Sequence, residues 1–188
     1  EAARSELDLP LDRKIALVFG GAADYSVNAS LVLDRLAERY DITLLVVTEI
    51  EKVLEDFKRI QGKTSFDMRI IESSPDMDTL NKYLYASDCM LYNKPSMPII
   101  VVSSTIFQCM GSGTPILALD SNFTDSFNRE VIKHVNYYEL EENIVDVFEK
   151  GEKYQKQQKA IVDYLEQHSA RKIAERYLNL FESLLKKK

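Results

Sequence analysis

From Lys14 onward, short apolar runs alternate with longer amphipathic stretches, and this alternation constrains the fold more than any other feature of the chain. A strand that is apolar on both sides must be covered on both sides, so the pattern predicts an α/β domain built on a parallel sheet with helices on both faces. Strands are expected at Ile15 to Phe19, Ile42 to Thr48, Met68 to Glu72, Cys89 to Tyr92 and Ile116 to Leu119, with a short sixth near Asn136 to Glu139. Helices are expected at Asn28 to Tyr40, Glu49 to Gln61, Asp76 to Ala86 and Val102 to Met110, with a short one around Ser126 to Ile132. Two long helices, Glu142 to Gln167 and Ala170 to Lys187, close the chain. In the first helix Leu31, Val32, Leu36 and Tyr40 form the inward stripe, and Asp34, Arg35, Glu38 and Arg39 face water.

The chain has 188 residues and no Gly-, Pro- or Ser-rich linker in its middle, which favours one domain over two very small ones. Residues 1–13, ending in Leu9-Pro10-Leu11-Asp12-Arg13, read as a lead-in or linker segment rather than a structural element. A formal charge of -6 argues against a nucleic-acid partner, which would select a basic face. Cys89 and Cys109 are too few for a disulfide framework and sit in apolar runs, so both read as buried thiols in a reducing compartment. No signal-peptide pattern and no apolar run near about 18 residues is present, and the expected location is cytoplasmic. Peripheral contact with a membrane surface is the alternative that the basic end Lys186-Lys187-Lys188 raises, although three lysines also suit a helix C-terminus. His134 and His168 have no metal-ligand spacing and form no triad with a strand-end nucleophile, so no metal and no cofactor is expected.

In open parallel sheets ligands bind beyond the carboxyl ends of the strands. Those ends are Gly20-Gly21, Glu72-Ser73-Ser74, Asn93-Lys94 and Asp120-Ser121. The most informative of them leads into Ser103 to Asp120. There Ser103, Ser104 and Thr105 open a helix whose body, Ile106 to Met110, is apolar, and Gly111 and Gly113 end it before Thr114-Pro115 starts a strand. The first N–H groups of a helix lack internal partners and its dipole favours negative charge, so this end suits an anion such as a diphosphate. A plain N-cap explains one of the three hydroxyls equally well. Gly20-Gly21 reads either as a tight turn or as close backbone approach to a ligand.

Several stretches resemble the C-terminal half of GT-B glycosyltransferases, specifically the retaining group called glycosyl transferases group 1 or family 4. The resemblance rests on Leu9-Pro10 followed by Lys14 to Gly20, on Tyr85 to Tyr92, on Phe107 to Ile116, on Glu130-Val131-Ile132 and on Ala174 to Phe181. It implies a Rossmann-like fold for residues 14–169 that binds a nucleotide-diphosphate sugar, and a closing segment 170–188 that crosses back to a separate N-terminal acceptor-binding domain. Laid onto this chain, the resemblance gives Gln108 a ribose contact and Glu130 a further substrate contact; the strand-end reading assigns phosphate contacts to Gly20, Gly21, Ser103, Ser104 and Thr105 and the base to Glu72, Ser73 and Ser74, and Lys94 is the candidate to supply charge from the neighbouring strand end.

This chain departs from that pattern at the motif the family uses most. Typical members carry two glutamates around the fourth helix, and the aligned positions here are Ile100 and Gln108. Gln108 can still hydrogen-bond a diol, with a loss of about 1 kcal/mol for the missing charge; Ile100 cannot. The family's Arg and Lys after the first strand are absent from Gly20 to Tyr25. The implied function is the donor half of a retaining glycosyltransferase. A catalytically inert nucleotide-binding or interaction module on the same scaffold is the alternative.

Overall fold

A computed structural model describes residues 1–186. Lys187 and Lys188, the last two positions of the basic end and the expected end of the closing helix, lie outside the described residues. Six parallel strands form one sheet: β1 (Lys14–Phe19), β2 (Ile42–Thr48), β3 (Asp67–Glu72), β4 (Cys89–Tyr92), β5 (Ile116–Leu119) and β6 (Ile132–His134), in the order β3-β2-β1-β4-β5-β6. The helices are α1 (Ala2–Glu6), α2 (Ser30–Leu36), α3 (Glu51–Ile60), α4 (Met77–Ala86), α5 (Ser104–Met110), α6 (Tyr137–Phe148), α7 (Glu152–Gln167) and α8 (Ala170–Leu185). This is the doubly wound Rossmann-like arrangement, with the direction of winding reversed between β1 and β4.

Period-two alternation divides the core into two layers. Ala16, Val18, Leu44 and Val46 meet α2, α3 and α6 through Val32, Leu33, Phe57, Ile144 and Val147. Ile15, Leu17, Leu45 and Val47 meet α4, α5 and α7 through Leu80, Leu84, Ile106, Cys109 and Ile161. Both cysteines are buried free thiols, and burial pushes Cys109 up to about 12. They are inert packing groups.

Several boundaries differ from the expectation. The sixth strand is Ile132–His134, not Asn136 to Glu139. Asn136 instead caps α6, accepting from Glu139 N–H at 2.9 Å, while Glu139 reaches back to Val135 N–H at 3.0 Å. That reciprocal cap competes with strand pairing and wins, since it satisfies two orphan donors at once. The expected helix at Ser126 to Ile132 is a series of turns that runs into β6. The single helix Glu142 to Gln167 is two, because Lys150 has φ +55° and Asp146 takes over as cap. Its carboxylate accepts from Tyr154 N–H at 2.7 Å and Lys153 N–H at 3.3 Å, and a Cβ on Gly151 would collide with it. In α2 the inward stripe contains Leu33, and Leu31 is exposed. The arc is set by Ala29, which lies four residues before Leu33 and is buried in the 3-10 helix (Gly20–Ala29) that leads into α2.

The lead-in segment is folded as well. Arg4 spans the gap between α1 and the amino ends of the strands: Nε donates to Ala86 O at 2.8 Å, Nη1 to Arg13 O at 2.8 Å, and Nη2 to Asp88 Oδ2 at 2.9 Å. The same Asp88 oxygen accepts from Ile15 N–H at 2.7 Å. Leu9 is buried in the second layer. By contrast, α8 has no buried residue. Among the described residues no helix is long and apolar enough to cross a membrane.

Candidate functional site

The switch between β1 and β4 opens a crevice at the carboxyl end of the sheet. On the β1 side Gly20 has φ +61°, a conformation L side chains rarely adopt, and starts the 3-10 helix over Gly20–Ala29. Nothing lies within 4 Å of the place a Cβ would occupy on Gly20, whereas Gly21 backs onto Ile50 at 3.4 Å. The crevice is therefore open at Gly20.

On the β4 side Tyr92 and Asn93 are buried and Lys94 is half-buried. The Lys94 ammonium sits 4.3 Å from the centroid of Phe123, whose ring packs edge-on against Tyr92 at 6.5 Å. Because α5 must return the chain to the start of β5, its amino end lies at this same end of the sheet. Ser103 caps it, accepting from Ile106 N–H at 3.2 Å and donating to the Tyr92 hydroxyl at 2.9 Å. Burial raises the Tyr92 phenol above its ordinary value, so it remains a neutral partner at physiological pH. Ser103 is thus buried and engaged on both sides of its hydroxyl. Ser104 is exposed and Thr105 half-buried. Gln108 lies one turn after Ser104 on the same exposed stripe.

The structure therefore brings Gly20, Gly21, Lys94, Ser104 and Thr105 to one end of neighbouring elements, with Gln108 one turn further along α5. Glu72, Ser73 and Ser74 are at that end too, but on edge strand β3, two strands and roughly 10 Å from β1 at about 4.8 Å per strand. Glu130 is not with them. It precedes β6, and a parallel connection from β5 must first return to the amino end of the sheet. Its carbonyl accepts from Gln157 and its carboxylate from Asn128 N–H, which ties it to the turn rather than to the crevice.

Four residues that position this end carry no motif. Asn93 donates to Ser26 Oγ at 3.2 Å and faces His134 Nε2 at 2.9 Å, which links the 3-10 helix, β4 and β6. Asn122 accepts from Met97 N–H at 3.1 Å and donates to Met97 O at 2.7 Å and Ile99 O at 3.0 Å. It fixes the loop before α5 in a shape that leaves Ile99, Ile100 and Val102 exposed. The available signal was Asn93 directly after β4 and Asn122 in the turn that follows β5, where short polar side chains bond neighbouring backbone.

Chemically, the crevice offers backbone N–H groups, hydroxyls and the Lys94 ammonium, which suits an anion. His134 is held neutral, its pKa lowered to about 4 by burial, with Glu139 opposing weakly. Among the described residues no cluster of side chains suits a metal ion.

No protein-family model matches the chain. Solved structures do match it in fold. A glycosyltransferase from Rickettsia africae aligns with a TM-score of 0.68 at 18% identity, over 100% of this chain and 52% of its own. An α,α-trehalose 6-phosphate synthase from Burkholderia multivorans gives 0.67 at 13%, over 98% and 45%. Sucrose-phosphate synthase from Thermosynechococcus elongatus gives 0.63 at 17%, over 96% and 49%. The chain spans about half the length of these structures, and its six-stranded Rossmann-like fold matches about half of each of them.

Proposed function

We propose that this chain is the donor half of a retaining glycosyltransferase of the family 4 type, binding a nucleotide-diphosphate sugar at the β1/β4 crevice. The observation that carries the reading is the convergence of Gly20, Lys94 and the start of α5 on the switch point of a sheet with this topology. The exposed donors at Gly20, Gly21, Ser104 and Thr105 hold the diphosphate, with Ser103 shaping the helix start from beneath. Lys94 supplies positive charge, Gln108 meets the ribose, and Glu72, Ser73 and Ser74 take the base. Stabilising negative charge on the departing diphosphate is the electrostatic task of such a half. Residues 14–169 form the donor domain. The acceptor is bound by an N-terminal half, on which α8 docks the stripe of Ile173, Tyr177, Leu180, Phe181 and Leu184 that it leaves uncovered here. The protein works at the cytoplasmic side, with no nucleic-acid partner.

Titration with UDP, GDP and the matching monophosphates and nucleosides tests the reading, followed by amide shifts. Diphosphates are expected to bind most tightly and to move Gly20 and Ser104. Equal affinity for nucleoside and diphosphate removes the phosphate cradle from the proposal.

A second reading, an inert binding module, is favoured by Ile100, which is fully exposed where the family pattern has a glutamate. Sugar transfer by the protein joined to its N-terminal half, across a panel of donors, separates the two. Diphosphate binding without turnover selects the module.

A further inference from the structure

A second concavity lies one strand away from the crevice, and its chemistry differs. Its walls are Asn93, Leu119, His134, Val135, Asn136 and Tyr137, enclosing about 220 Å³. These are the residues at the carboxyl ends of β4, β5 and β6 and at the first turn of α6. The volume equals the liquid share of about seven waters at ~30 Å³ each, enough for a single small ring and too small for a nucleotide.

The tautomer of His134 follows from the hydrogen bonds around it. Asn93 uses its amide nitrogen on Ser26, so its oxygen faces His134 Nε2 and must accept. The ring proton is then on Nε2 and Nδ1 is a bare acceptor. His134 is 2% exposed, and Nδ1 has no partner. An acceptor shut away without a donor is costly, and native structures rarely leave one so.

The rest of the wall narrows what would satisfy it. None of the six lining side chains carries a charge at neutral pH, and the nearby Glu139 carboxylate, which also holds Val135 N–H, repels an anion. Leu119, Val135 and the Tyr137 ring offer apolar surface, and Asn136 offers an amide. Tyr137 is 41% exposed and is the one phenol ring in the wall; turns of exposed side chains are common on binding.

We propose that this cavity is a binding subsite for a neutral, hydroxyl-bearing ring of monosaccharide size, one hydroxyl of which donates to His134 Nδ1 once Tyr137 moves aside. The apolar face of such a ring packs on Leu119, Val135 and Tyr137. The site is separate from the phosphate-binding crevice and stands without it.

The test uses the 188-residue chain with ¹⁵N-labelled histidine at pH 7. Methyl α-glucoside, methyl α-galactoside and methyl α-mannoside are titrated to 100 mM, with inorganic phosphate in parallel. At least one glycoside is expected to shift the His134 Nδ1 resonance saturably, and phosphate is expected to leave it unmoved. Val135→Trp fills the cavity from an exposed position and should weaken that glycoside at least tenfold while leaving UDP titration unchanged. No Nδ1 shift with any glycoside, an equal shift with phosphate, or undiminished binding in Val135→Trp overturns the proposal. The UDP arm reads the crevice independently, so either site fails without the other.

Discussion

Replacing Arg4 by alanine tests whether the first thirteen residues belong to the domain's own core. Three of the bonds its guanidinium makes are at 2.9 Å or less, to Ala86 O, Arg13 O and Asp88 Oδ2. A hydrogen bond to a charged group is worth about 1.5–3 kcal/mol net. The three are not independent, and water reaches part of the pair, whose side chains are 14% and 25% exposed, so one such contribution is the secure minimum. Undocking the segment also frees Leu9, whose full exposure costs about 1.5–3 kcal/mol. Arg4→Ala is therefore expected to lose about 3 kcal/mol, which for a domain of this length lowers Tm by roughly 6–12 °C. Urea unfolding is the assay, with a small fall in m-value expected because the undocked segment no longer adds to the surface exposed on unfolding. Arg4→Lys should recover less than half, because an ammonium cannot reach carbonyls on both α4 and the lead-in while pairing with Asp88. A loss below about 0.5 kcal/mol for Arg4→Ala, within the range of ordinary surface substitutions, would mean that the contacts around Arg4 do not hold the segment and that residues 1–13 are only a linker.

Gly151→Ala should cost about 1–2 kcal/mol in urea unfolding by displacing the Asp146 cap of α7, and Asp146→Ala should then add little in the double variant. His134 has its folded pKa depressed to about 4 from 6.5, so the unfolded chain binds the proton first. Its neutral form costs nothing above pH 6.5, and stability falls as pH drops from 6.5 towards 4, by about 3 kcal/mol at 1.36 kcal/mol per unit. His134→Gln should flatten that slope in pH-dependent unfolding. Lys94→Ala should weaken nucleoside diphosphate binding about three- to tenfold in calorimetry with little effect on the nucleoside. Tyr92→Phe should leave Ser103 without its buried partner and cost about 1 kcal/mol in stability.

Four of the six strands were readable because each is a continuous apolar run bounded by turn residues, and burial on both faces leaves no other use for such a run; edge strand β3 was readable from Met68, Ile70 and Ile71 although Arg69 between them is exposed. The sixth failed because Asn136-Tyr137-Tyr138-Glu139 carries strand-forming aromatics inside a helix start, where the Asn136–Glu139 cap overrides propensity. The break at Lys150-Gly151 was hidden because the decisive interaction comes from Asp146, on the preceding helix. At the candidate site, Gly20 and the start of α5 were legible as backbone features. The engagement of Ser103 by Tyr92 was not, since it joins residues eleven apart across a strand end. Glu130 shows the limit of reading motifs without topology: a strand connection carries it to the amino end of the sheet.

Edge strand β3 carries Asp67, Arg69 and Glu72, and they are tied laterally, Arg69 to Asp67 at 3.1 Å and Lys58 to Glu72 at 3.9 Å. At the other edge β6 is three residues long. A charged rim and a stub are both poor templates for an incoming strand. The sheet therefore stops at six strands by its own chemistry, so copies of this domain will not polymerise edge to edge, and any larger assembly has to be built through its helices or its ligand end.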